Sequence, residues 1–298
     1  MRCIRFIIII LVMIPFIVRS QDFTQYHEDL SGLAWIEGNL FVGIHDVKAS
    51  PQTEQMHRFS LIILPGDNQE YLACLPVFPE FPAGTGLPSD LESACRLPGR
   101  QGFLFCESGQ SWGGEKRIFY AKYQDDELKI IDYIDWPVEI TNVEATEVCK
   151  VGDKLVFVYA ERAEGSPSTY IRWAEFSPEP LSIGTFREIK YKSKSPFKSS
   201  FRPVSGMDID TNGNIYISDA YDPGVDTGPY KSHIRMIGKI FPDKSGEPVI
   251  KLKKQALLGT MDGLKVESVA IKSSQNGEKS IYYGTDDEHH KGILRVLP

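Results

Sequence analysis

Short runs of β-branched and aromatic residues recur from Phe41 to Val296, each broken after a few positions by Gly, Pro, Asn or Asp. FVGI, RFSLIIL, GFLFCE, RIFYAKY, KLVFVYAE, TYIRWAEF, NIYISD and SIYYGTD have the length and composition of strands. Beyond the N-terminal apolar run, no long segment carries the i, i+3, i+4 apolar spacing of an amphipathic helix. The pattern predicts an all-β protein.

The strands fall into a repeat. LSGLAW from Leu30, LESACR from Leu91, VEATEV from Val143, VSGMDI from Val204 and VESVAI from Val266 open alike: Leu or Val, then Ser or Glu, then a small residue. These anchors are spaced 61, 52, 61 and 62 residues apart, and each leads through a strand and a polar turn into a second strand. Multi-stranded repeats of about 40–50 residues mark a β-propeller, and longer loops account for the excess. The innermost propeller strands crowd round a channel, so Gly32, Ser93, Ala145, Gly206 and Ser268 read as the small residues at that crowded point. We expect one propeller over 21–298 with five blades, six being the alternative, and a strand from before Leu30 completing the short last blade.

Each second strand ends in an acid: Asp46, Glu107, Glu161, Asp219 and Asp286 follow their anchors by 16, 16, 18, 15 and 20 residues. In an antiparallel pair the start of one strand and the end of the next emerge on one face. Glu92, Glu144 and Glu267, one residue after their anchors, therefore share a face with the strand-end acids. A ring of carboxylates must either raise some pKa values or take up a cation. Calcium accepts several carboxylate oxygens in irregular geometry, and Glu92, Glu144, Glu267, Asp219 and Asp286 are the candidate ligands. For the strand-end acids, solvated turn formers are the competing reading. Ser31 and Ser205 stand where the other repeats have Glu, so such a site is asymmetric.

The N-terminus and the charge narrow the setting. Arg2 and Arg5 precede an apolar run from Phe6 to Val18, and Val18 and Ser20 suit cleavage before Gln21. Residues 1–20 read as a signal peptide, which places the protein outside the cell or in a periplasm. The formal charge of −7 becomes −10 without Arg2, Arg5 and Arg19, which argues against nucleic acid or an anionic membrane as partner. A monomer acting on a small molecule or an extracellular ligand is expected. The basic run FREIKYKSKSPFKSSFR, 186–202, reads as a solvated loop. Cys74, Cys95, Cys106 and Cys149 remain after cleavage; Cys95 and Cys106 flank a turn and are open to a disulfide or to free thiols.

Other motifs carry less. VSGMDIDTNGNIYISD holds Asp208, Asp210, Asn212 and Gly213 in near EF-hand spacing, but strands in place of helices flank it, so a hairpin turn is expected. GQSWG around Ser111 matches a nucleophile elbow without the helix that motif needs. His289 and His290 lie in a turn signal, DDEHHKG. His45, beside Asp46, is the acid–base candidate together with Glu144, and Arg96 and Arg162 are candidates to hold an anionic group. Trp136 and Tyr133 read as packing residues.

SGLAW, DLESAC, NVEATEV, VSGMDIDTNGNIYISDAYDP and KVESVAI…YYGTDDEHHKGILRVL resemble the phytase-like, or esterase-like, propeller domains. The VSGMDIDTNGNIYISD hairpin is similar to those of gluconolactonase and strictosidine-synthase-type propellers, where a strand-end Asp lies near a divalent ion. The resemblance implies metal-assisted hydrolysis of a small ester, lactone or phosphoester, with Glu92, Glu144 and Glu267 facing the ion. Phytase activity proper is disfavoured because no dense basic cluster lies on the candidate face. The competing function is a non-catalytic binding module for protein or carbohydrate, with structural calcium.

Overall fold

The computed structural model describes residues 29–298 apart from 65–72, 100–101, 111–114, 164, 198–199, 226, 274–276 and 288–291. Residues 1–20, expected to be a signal peptide, and Ser111, His289 and His290 lie outside the described residues. Among those described there is no α-helix, only a 3-10 turn at Pro51–Thr53, and no helix long and apolar enough to cross a membrane.

Five antiparallel sheets form five blades. Blade 1 is β1 (Gly32–Glu37), β2 (Leu40–Ile44), β3 (Phe59–Ile63) and β4 (Ala73–Val77). Blade 2 is β5 (Leu91–Arg96), β6 (Gly102–Glu107), β7 (Arg117–Gln124) and β8 (Glu127–Asp135). Blade 3 is β9 (Val143–Val151), β10 (Lys154–Glu161), β11 (Ser168–Pro178), β12 (Leu181–Ile183) and β13 (Arg187–Lys192), the last two both pairing with β11. Blade 4 is β14 (Phe201–Ile209), β15 (Asn214–Tyr221), β16 (Lys231–Pro242) and β17 (Pro248–Asp262). Blade 5 has β18 (Val266–Ser273), β19 (Lys279–Thr285) and β20 (Leu294–Val296). The long spacings between anchors hold outer strands such as β13 and the 15-residue β17, not a sixth blade.

Burial explains the sequence pattern. β6 is buried at every position, since neighbouring blades cover both its faces, whereas β8, at the outer edge, alternates. The apolar core divides into five clusters, one at each blade–blade contact. The ring closes where Leu30 N donates to Thr285 O at 2.9 Å and Ser268 Oγ donates to Leu30 O at 3.1 Å. The strand expected before Leu30 would fall within residues outside the description.

The register places the anchors as expected: Leu91 lies opposite Glu107, Val143 opposite Glu161 and Val266 opposite Thr285. The small residues do guard a crowded axis. A Cβ on Gly206 would sit 2.9 Å from Glu267 O and 3.0 Å from Ser268 Cα, and one on Gly32 would sit 2.8 Å from Ala94 N. The DIDTNGN segment is the β14–β15 hairpin turn, not a calcium loop. Asp210 Oδ1 accepts from the backbone N–H groups of Asn212 and Asn214, and its Oδ2 takes Lys279 at 2.6 Å. Gly213 has φ +78°, and a Cβ there would strike Ile240 O. Cys95, Cys106 and Cys149 are free thiols, so Cys95 and Cys106 form no disulfide.

Candidate metal centre

The starts of β5, β9 and β18, in blades 2, 3 and 5, bring Glu92, Glu144 and Glu267 to the channel mouth. Their carboxylate oxygens lie within 4.8 Å of one another, and all three side chains are buried. Glu92 shows the conflict most plainly. It is 8 % exposed and makes no hydrogen bond among the described residues. Burial first, then the charges of Asp46, Glu144, Glu267 and Asp90, push its carboxyl well above the usual range. Glu267 is likewise raised, by burial and by Asp286, against the pull of Lys265 and Arg202.

The space between them suits one small ion. The constriction lined by Ser31, Glu92, Glu144, Gly206, Glu267 and Ser268 has a volume of about 10 Å³, room for a single water-sized occupant. Ser31 Oγ, on the same wall, is buried without a partner. A donor set of carboxylate oxygens with a spare hydroxyl is that of a hard cation such as calcium. The residues present therefore fit a calcium-like ion.

Basic side chains surround the acids. Arg162 Nη1 donates to Glu144 Oε1 at 3.0 Å, and Arg202 reaches Glu267 and Asp222 and lies 3.9 Å from Glu144 Oε2. Lys265, 1 % exposed, pairs with Asp286 at 2.8 Å and lies 3.5 Å from Glu267. Burial would raise Asp286, but Lys265 and its hydrogen bonds bring it below its usual value. A second acidic group, Asp46, Asp90 and Glu92, shares Glu92 with the first and is bridged by Lys48, 2.7 Å from Asp46 Oδ1 and bonded to Asp90. Burial, partly offset by Lys48, raises Asp46 to about 6. Sequence reasoning missed Lys48, Asp90, Arg202 and Lys265. A usable signal was the residue just before each anchor, which is Asp29, Asp90, Asn142 or Lys265 in four of the five repeats.

The strand-end acids divide. Asp46 and Asp286 stay near the axis. Glu107, Glu161 and Asp219 lie outside both acidic groups among the described residues; each clamps its strand to an arginine of the third strand. Glu107, wholly buried, accepts from Arg117 Nη2 at 2.7 Å and Nε at 3.0 Å and from the N–H groups of Ser89 and Arg117. Glu161 pairs with Arg172 at 3.0 Å. Asp219, also wholly buried, is saturated by Arg235 Nε at 2.8 Å, His233 Nδ1 at 2.9 Å and Ser195 Oγ at 3.0 Å. It does not join the glutamate cluster among the described residues. Ser195 and Asp219 meet His233 at the same ring nitrogen, so they form no proton relay.

Two further residues lie elsewhere than expected. His45 is 2 % exposed, and its nitrogens are bonded to Asp29 O at 2.8 Å and Ser60 Oγ at 2.7 Å. It does not belong to the glutamate cluster and acts as a buried strut between chain segments. Arg96, at the far end of β5, faces away from the mouth, its guanidinium 5.0 Å from the centre of the Trp35 ring. Trp136 packs as expected, edge-on to Tyr159, and donates to Glu107 O.

No family model matches the sequence, and no curated protein matches it. Solved structures do. A thermostable family-43 glycoside hydrolase is 10% identical, with 89% of this chain and 87% of that one covered at a TM-score of 0.53. An α-L-arabinofuranosidase of Clostridium thermocellum is 14% identical over 93% and 95% of the two chains, with a TM-score of 0.48. The periplasmic gluconolactonase of Pseudomonas aeruginosa is 11% identical over 83% and 80%, with a TM-score of 0.38. Identities this low speak to the fold alone, a β-propeller.

Proposed function

We propose that the protein is an exported, cation-dependent hydrolase of a small ester, lactone or phosphoester at the channel mouth. The observation that carries this reading is the meeting of three buried glutamates from different blades, one of them without a hydrogen bond among the described residues. Glu92, Glu144 and Glu267 would hold the ion. When bound, such a cation polarises a carbonyl or phosphoryl oxygen and lowers the pKa of water. Glu144 Oε2 lies 3.9 Å from Arg202, beyond hydrogen-bond range, and we assign it the proton of the attacking water. Arg162 and Lys265 orient the carboxylates, as their ion pairs imply. The mouth is less acid-only than the sequence implied, and its basic residues are committed to these pairs, which is why an open polyphosphate site is not part of the proposal.

The narrowness of the constriction, about 10 Å³, favours a second reading. In it the ion is structural, tying blades 2, 3 and 5 together in a non-catalytic binding module. Metal content of the purified protein, measured with turnover of nitrophenyl esters, lactones and nitrophenyl phosphate by wild type and Glu144→Gln, separates them. Bound calcium with turnover that Glu144→Gln abolishes supports the hydrolase. Bound calcium without turnover leaves the structural ion, and absence of metal removes both.

A further inference from the structure

The other end of the axis holds a cavity of about 420 Å³, the size of a small-molecule site. All five innermost strands contribute to it, and Trp35, Leu97, Ile209 and Ile271 are among its walls. Three carboxylates line the same space; Asp210 is held by Lys279, which leaves Glu147 of β9 and Asp208 of β14. They occupy one repeat position, four residues after the anchor, where the other blades carry Ala34, Cys95 and Ala270. The pair is thus placed by two blades alone.

Neither carboxylate has a basic partner among the described residues. Glu147 is 6 % exposed; its Oε1 accepts only from the N–H of the next residue, Val148, at 2.9 Å, and its Oε2 makes no hydrogen bond. Asp208 Oδ2 accepts from Ile271 N at 2.6 Å. The charged groups round the pair are otherwise engaged: Arg96 covers Trp35, and Asp210 is held by Lys279, while Lys150 on the lining is exposed. Burial and then mutual repulsion raise Glu147 well above the usual range, and burial raises Asp208 to about 7. Two carboxylates facing a largely apolar pocket without a basic partner among the described residues are poorly satisfied by the protein alone.

We infer that this cavity binds a small organic cation, an ammonium group on an apolar body, with Glu147 and Asp208 taking the ammonium and Trp35, Leu97, Ile209 and Ile271 enclosing the rest. An ammonium group donates to two acceptors at once and offsets one of their two charges, while Trp35, with Arg96 over one face, adds apolar wall for the body. An anion would face both carboxylates directly. A metal ion would find only two carboxylates, since no third ligand groups with them among the described residues.

Calorimetric titration of the full chain at pH 8 with phenethylammonium, 3-phenylpropanoate and 3-phenylpropan-1-ol tests this. Phenethylammonium should bind at least tenfold tighter than the other two. The double substitution Glu147→Gln, Asp208→Asn should weaken it at least tenfold. Thr211→Trp, which narrows the pocket without altering either acid, should abolish it and covers the case in which the double variant does not fold. Glu92→Gln should leave it unchanged. Absence of phenethylammonium binding, equal or tighter binding of the acid or alcohol, retained affinity in Thr211→Trp, or loss on Glu92→Gln would each overturn the inference.

Discussion

Replacing Glu92 by Gln separates an ion-binding cluster from a merely crowded one. One oxygen from each of Glu92, Glu144 and Glu267 lies no more than 4.8 Å from the others, so each ionised pair repels by roughly 3.5 kcal/mol at an effective dielectric constant near 20. Glu92 takes part in two such pairs, about 7 kcal/mol if all three are charged. Without a cation, burial and that repulsion favour the protonated form of Glu92. Glu92→Gln then resembles the neutral acid, and its melting temperature in EDTA should equal or exceed that of wild type at pH 8. Calcium at a hundredfold excess over Kd should stabilise wild type by about 2.7 kcal/mol, or about 5–10 °C in a domain of this size. The shift should be larger at pH 8 than at pH 6, because the ion must displace the Glu92 proton, and Glu92→Gln should lose most of it. Differential scanning fluorimetry across calcium concentrations reads all three. A wild type indifferent to calcium, or a variant that keeps the full shift, would refute the reasoning.

Two predictions concern the rest of the fold. Arg117→Met leaves Glu107 buried without its main counter-charge and should cost about 3–5 kcal/mol in urea unfolding; a loss under 1 kcal/mol would mean the β6–β7 clamp is decorative. The raised pKa of Asp208, about 7 against an ordinary 3.8, means the folded chain binds this proton more tightly than the unfolded one. Its contribution is complete below about 4 and fades as pH rises through about 7, so Asp208→Asn should flatten the decline in melting temperature over that window, and an unchanged decline would count against it.

The anchors, the strand pattern and the small residues at Gly32 and Gly206 were legible in the sequence because each reflects a local need: alternation or full burial along a strand, and room where backbones approach. Glu92, Glu144 and Glu267 were legible for the same reason, since an equal position in each repeat puts equal residues on one ring. The acids at Glu107, Glu161 and Asp219 looked alike in one dimension and differ in three. Their fate depended on Arg117, Arg172 and Arg235, which lie on the next strand at variable separation. Only the closed ring could bring Arg202 of blade 4 to Glu267 of blade 5, turn Arg96 to the opposite end from Glu92 on the same strand, and set Glu147 beside Asp208 across a blade boundary. A sequence determines what each strand requires of its immediate neighbours. Which charges face one another is settled by sheet register and by ring closure, and both are sums over residues far apart in the chain.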